Sequence, residues 1–156
     1  MGQNQTFNDS ERKAWSNFLL AHDRVTARVD AELAETCSMS LAEYEVLMNL
    51  YEADRHQLRM NELADLARLS PSGLTRRFDI LGNRGWVARE RSDEDRRGVV
   101  ATLTKEGVKQ VKAATPVHDR AWSEYLFAVL GEKATKTLGT SMAKVAEANL
   151  DVETEG

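Results

Sequence analysis

The sequence predicts a mostly α-helical fold carrying one small β-hairpin, on three observations. Long stretches towards both ends repeat apolar residues at three- and four-residue steps, the period of helices with one apolar face. Near the middle, "LSPSG" separates two short helical patterns with a serine and a proline suited to opening a helix. Beyond it, "WVARER" and "GVVATL" read as two strands enclosing the charged run "RSDEDRR".

The elements follow in chain order. Residues 1–8 are expected to form a disordered arm. From Asp9 to about Thr36, Trp15, Phe18, Leu19, His22, Val25, Val29 and Leu33 mark one long helix, with Asp9 or Ser10 as its cap. "CSMS" interrupts that pattern. Ser40 and Glu43 then form a capping box ahead of Tyr44, Leu47, Met48 and Tyr51, in a second helix ending near Asp54. "HQLRM" suits a small strand. A third helix, about Met60 to Arg68, is expected to bury Leu63, Leu66 and Ala67. A fourth, capped by Ser70 and opened by Pro71, runs to about Arg84, where Gly85 stops it. After the hairpin Thr104 starts another helix, which Pro116 should kink or break. Gly131 punctuates, and Glu132 to about Leu150 gives a last amphipathic helix through Leu138, Met142, Val145 and Ala146. The acidic tail "DVETEG" is expected to fray.

At 156 residues, with 29% charged and 42% apolar, the chain has the balance of a folded domain with helical extensions. No apolar run is long enough to cross a bilayer and no signal-peptide pattern opens the sequence, so a cytoplasmic location without membrane attachment is expected. "MGQNQT" matches the N-myristoylation pattern through Gly2 and Thr6, but no second membrane signal accompanies it. A single cysteine, Cys37, excludes an internal disulfide framework and fits a reducing compartment.

The net charge of -4 argues against a general polyanion binder, yet it is unevenly spread. Residues 55–97 hold ten arginines, no lysine and seven acids, an excess of three positive charges; the remainder holds eleven basic and eighteen acidic residues. A basic centre in an acidic chain suits local contact with phosphate, and the use of arginine alone favours forked contacts over point charges. An ordinary solvated surface is the alternative on charge alone.

In the fourth helix, at about 100 degrees per residue, Phe78 and Leu81 fall within about 40 degrees of Leu74 and make one apolar face. Ser72, Arg76 and Asp79 fall opposite, flanked by Thr75 and Arg77. Short polar residues and an arginine on an exposed helix can meet phosphates and a guanine edge in a DNA major groove. The preceding short helix and capped turn complete a helix-turn-helix.

From "SLAEYEVL" through "LRMNELADLARLSPSGLTRRFDILGNRGWVARERSDEDRRGVVATLTKEG" the chain resembles the MarR family of winged helix-turn-helix transcription regulators. The wing signature D-x-R-G stands as Asp95, Arg96, Arg97 and Gly98, and L-T-x-E-G follows as Leu103 to Gly107. The resemblance implies a winged helix-turn-helix domain over residues 40–103, with residues 9–39 and 104–150 forming a helical dimerisation region. It makes Ser70, Ser72, Thr75, Arg76 and Arg77 the DNA contacts of the recognition helix. Arg97 would enter the minor groove, restrained by Asp95, with Arg96 beside it and Arg91 on backbone phosphates. It further implies a homodimeric repressor acting on a pseudopalindromic double-stranded operator.

Many members of that family take a small aromatic effector between their lobes. Trp15, Phe18 and His22 share one face of the first helix, Tyr44 and Met48 one face of the second, and His118 lies beyond Pro116. These residues are candidates for such a pocket, or for dimer core. Cys37 is the candidate for a thiol-based redox sensor, and a winged-helix module binding protein or RNA is the other alternative. The three histidines show no metal-ligand spacing, so neither metal nor cofactor is expected. Without a phosphate loop, a nucleophile elbow or paired carboxylates in a credible motif, no enzyme is expected either.

Overall fold

The structure is a computed structural model that describes residues 6–91 and 99–149, Arg91 by its backbone. Helix α1 (Asp9–Cys37) opens one residue earlier than the caps expected from sequence. Asn8, and not Asp9 or Ser10, accepts the Glu11 N–H at 2.9 Å, while the Glu11 carboxylate takes the Asn8 N–H at 2.8 Å. The reciprocal box satisfies two otherwise orphaned donors, and it places both Asp9 and Glu11 in the first turn, where the helix dipole favours acids. Helix α2 (Leu41–Glu52) carries the Ser40–Glu43 box as expected. Asp30 of α1 also accepts the Leu41 N–H at 2.7 Å, which ties the start of α2 to α1. Leu41, Tyr44, Val46, Leu47 and Leu50 are all buried, so α2 is the central helix of the core.

A 3₁₀ turn (Asp54–His56) leads into strand β1 (Gln57–Arg59) and helix α3 (Met60–Leu66). The buried face of α3 is Leu63 and Ala64, continued by Ala67; Leu66, expected inside, is 54% exposed. A face centred on residues 63, 64 and 67 lies about 100 degrees around the helix from position 66. Helix α4 (Pro71–Asn83) starts with Ser70 accepting the Gly73 N–H at 3.1 Å and buries Leu74, Phe78 and Leu81. The apolar face predicted for it is the one that seats it.

Strands β2 (Val87–Arg91) and β3 (Val99–Leu103) pair antiparallel, and β1 joins the other side of β3. The expected two-stranded ribbon is therefore a three-stranded sheet in the order β1-β3-β2. Gln57 donates to Thr102 and to Glu90, and Thr102 donates to Glu90, each at 3.2 Å, so one polar chain crosses all three strands.

Thr104 closes the hairpin back onto the helix-turn-helix. Its N–H donates to Trp86 O at 3.0 Å, its hydroxyl to Gly85 O at 2.7 Å, and its Oγ1 caps helix α5 (Lys105–Trp122) by accepting the Gly107 N–H. This closure leaves no room at position 107. A Cβ there would stand 2.2 Å from Trp86 O and 2.6 Å from Leu103 Cδ1.

Helix α5 runs through Pro116 without the expected break. Proline removes one backbone bond, but Val111 and Ala114 before it and Ala121 after it are all buried, so packing on both sides keeps the segment helical. The irregular turn comes later, as a π turn at Ser123–Phe127. Glu32 of α1 anchors that region by accepting from Arg120 Nη2 at 2.6 Å and from the Tyr125 hydroxyl, and Arg28 lies 4.2 Å above the Tyr125 ring. Helix α6 (Ala128–Glu147) contains the expected interruption at Gly131, whose φ of 71° and ψ of 169° fit glycine and not a side-chain-bearing residue.

Candidate nucleic-acid interface

The core of Leu74, Phe78 and Leu81 turns the opposite face of α4 outward. Ser70, Ser72, Thr75 and Arg76 are exposed, and Arg77 is half-buried with its Nη1 on Gly73 O at 3.3 Å. Local bonds pre-set these side chains. Ser70 Oγ serves the cap and lies 3.3 Å from Ser72 Oγ, while the Thr75 hydroxyl donates back to Pro71 O at 2.9 Å and keeps its lone pairs outward. Pro71 has no N–H and Ser70 takes that of Gly73, so the Ser72 amide is the donor left in the first turn, at the positive end of the helix. Among the described residues Arg76 meets no carboxylate, so its guanidinium fork is available for a bidentate contact.

Two arginines that the sequence reading left unassigned fix this helix in place. Arg84 donates from Nη1 to Ser38 O at 2.7 Å, stands 3.9 Å from the buried Glu43 carboxylate and lies 4.9 Å over the Trp86 ring. It pins the end of α4 to the α1–α2 junction. Arg89 of β2 pairs with Asp79 of α4 at 2.8 Å and covers the Phe78 ring at 4.9 Å. Arg89 shares a strand face with the buried Val87, which carries its stem towards α4. Of the wing residues, Asp95, Arg96 and Arg97 lie outside the described residues, and so does the side chain of Arg91.

The effector candidates divide. His118 stacks on Tyr44 with ring centroids 4.5 Å apart, and both line a cleft of about 280 Å³ with Met48, Leu66, Arg68 and Thr115. The Tyr44 hydroxyl lies 3.2 Å from Thr115 Oγ1; burial pushes the Tyr44 phenol above its ordinary pKa, and that hydrogen bond opposes the shift. The Trp122 indole N–H can only donate, so His118 Nε2 accepts at 2.9 Å and Nδ1–H donates to Asp119 at 2.9 Å. His22 lines a larger neighbouring cleft of about 710 Å³ with Asp30, Glu45, Arg68 and Trp122. Trp15 and Phe18 line neither cleft: they stack on each other at 6.0 Å on the exposed part of α1.

Arg68, Thr115 and Leu66 are among the cleft residues that sequence reasoning missed. Arg68 adopts a left-handed conformation (φ 53°) in the α3–α4 turn and reaches both clefts, and Leu66 is exposed because it forms the rim of one. No periodicity announces a turn residue. Cys37 is partly buried against the core, and burial raises its thiol pKa, which lowers the thiolate fraction and does not favour redox chemistry. Among the described residues no group of three or more His, Cys, Asp or Glu side chains is placed to hold a metal ion, and no helix is long and apolar enough to cross a membrane.

Comparison with known proteins places this geometry. A sequence model described as "MarR family" matches residues 39–99. The HTH-type transcriptional repressor YetL of Bacillus subtilis (strain 168) is 31% identical over 80 residues, covering 51% of this chain and 48% of YetL; the chain thus spans about half the length of the curated relatives it matches. Among solved structures, Sco3205 of Streptomyces coelicolor, a MarR family transcriptional regulator crystallised in complex with DNA, superposes with a TM-score of 0.87. It shares 31% identity and the match covers 96% of this chain and 94% of that one. AbsC, a MarR family transcriptional regulator from the same organism, gives a TM-score of 0.84 at 26% identity, covering 93% of this chain and 97% of AbsC.

Proposed function

The chain belongs to the MarR family, and on that premise we propose that it is a sequence-specific, double-stranded-DNA-binding transcription regulator. In this reading it is a homodimeric repressor on a pseudopalindromic operator. The observation that carries it is the outward face of α4: Ser70, Ser72, Thr75 and an Arg76 that meets no carboxylate among the described residues, on a helix whose other face is locked into the core. That is the arrangement a major groove reads, with hydroxyls and an amide on phosphates and a guanidinium on a guanine edge. Residues 40–103 act as the reading head, and Arg91, Asp95, Arg96 and Arg97 of the wing supply phosphate and minor-groove contacts as the family resemblance implies.

Exposed apolar side chains support dimerisation through residues 9–39 and 104–150. Trp15, Phe18, Leu19, Val129, Leu130 and Val145 are exposed on α1 and α6, and α6 buries none of its residues within the chain. Two-fold pairing of these arms sets the two α4 helices one DNA turn apart, which requires a two-fold-related operator. The Tyr44–Met48–His118 cleft supports response to a small aromatic effector, with Arg68 in its lining to meet an acidic group and link the effector to the α3–α4 turn.

The test is selection of fragments of the source genome by the purified chain, followed by titration of the recovered operator. Affinity should fall steeply with salt, as phosphate contacts require; a weak salt dependence would instead point to a protein partner. Arg76→Ala should cost roughly 1–3 kcal/mol of discrimination at one operator position. Equal loss on every sequence would remove Arg76 from base reading.

A further inference from the structure

The polar face of α4 contains an acid as well as an arginine. Asp79 lies on the same side of the helix as Ser72 and Arg76, and its side chain is 53% exposed. A carboxylate there opposes any polyanion that approaches the helix, and at ordinary ionic strength the repulsion acts over about 10 Å. Arg89 answers it directly. Its Nη1 is 2.8 Å from Asp79 Oδ1, and its guanidinium carbon lies 4.9 Å from the centroid of the Phe78 ring.

The clamp has a defined place in the fold. In the sheet register Arg89 stands opposite Ala101, which is completely buried, and on the face of β2 that carries the buried Val87. Its stem therefore leaves the sheet on the core side, and only the head reaches α4. The seam between α4 and β2 is not closed by packing there: a cleft of about 470 Å³ lies along it, lined in part by Phe78, Gly82, Val87 and Arg89. The Arg89 head is thus what bridges recognition helix and wing strand at this level.

We propose that Arg89 is a positioning residue for DNA recognition: it neutralises Asp79 on the reading face of α4 without touching the nucleic acid itself. The proposal rests on the DNA-binding reading above. It accounts for an acid on the reading face, since the Asp79–Arg89 pair presents no net charge to phosphate.

Arg89→Met is the informative variant, because it keeps the stem over Phe78 and removes the charge. Operator affinity is measured across a salt series for wild type, R89M, Asp79→Asn and the double variant, with thermal melts of the DNA-free proteins alongside. R89M should bind on the order of tenfold more weakly, on operator and unrelated duplex alike, through uncovered like-charge repulsion. D79N alone should bind at least as tightly as wild type. The double variant should recover to within about threefold of wild type with an unchanged slope of log affinity on log salt. A double variant as weak as R89M, with a slope shallower by about one, would show Arg89 contacting phosphate and overturn the proposal. So would an R89M of wild-type affinity. A wild-type chain that retains no duplex at any salt concentration would remove the DNA-binding reading itself, and this proposal with it. If R89M does not fold, the D79N arm decides: affinity below wild type across the salt series overturns the masking role.

Discussion

The winged lobe and the helical arms of this chain handle apolar residues in opposite ways. In the lobe, Leu47, Leu63, Leu74, Phe78, Leu81 and Ala101 come from four different elements and are buried by one another. In α6, which is 20 residues long, none is buried, and Val129 is 80% exposed. Helix α1 divides between the two regimes: Val29 and Leu33 are fully buried beside α2 and α5, whereas Trp15 and Phe18 are 52% and 48% exposed. Both regions show the same period of apolar residues in sequence. The pattern says that a face will be covered; it does not say whether the same chain covers it.

The comparison can be broken at three points of decreasing effect. Phe78 fills the centre of the lobe beneath Arg89, and Phe78→Ala should cost about 3–5 kcal/mol of unfolding free energy in urea titration, at every protein concentration. A loss under about 1 kcal/mol would mean that the lobe is not the self-sufficient core described here. Gly107→Ala tests how tightly that core is closed. Alanine is the better helix former, yet its Cβ meets the Trp86 carbonyl, so a net loss of about 2 kcal/mol is expected. A stabilised variant would show that the Thr104 closure yields.

The arms should respond differently. Met142→Glu with Val145→Glu changes exposed positions of α6 and should alter the stability of the single chain by no more than about 0.5 kcal/mol. If the proposed homodimer pairs through α6, the variant should nevertheless sediment as a monomer and lose the dependence of melting temperature on protein concentration. A variant that sediments as wild type would place the dimer contact elsewhere.

Much of the lobe was legible before any coordinate. Ser40 with Glu43, Ser70 with Pro71, and the Leu74–Phe78–Leu81 face are local signals, each decided by residues within one or two turns, and each stands as read. The errors have a common cause in distance along the chain. Pro116 was expected to break α5, but buried neighbours on both sides hold it; Leu66 was expected inside, but the face of α3 is set by what α2, α4 and the sheet present to it. The third strand, Gln57–Arg59, finds its partner more than forty residues later, which no local pattern encodes. At the candidate interface the outward face of α4 was readable from helical period, while Arg84, Arg89 and Arg68 were not. Each acts through a partner on another element or through a turn conformation.

By itself, then, the sequence determined which segments are helix or strand, where α2, α4 and α5 start, which face of α4 is polar, and that an arginine-rich centre sits in an acidic chain. Those are properties of dihedral preference, capping and period, and they need only neighbours along the chain. Tertiary structure alone decided that Asp79 is neutralised by Arg89, that Gly107 admits no side chain, and that Tyr44 and His118 share a cleft reached by Arg68. These depend on groups brought together across the fold, where separations of a few ångströms set the energy and sequence separation sets nothing.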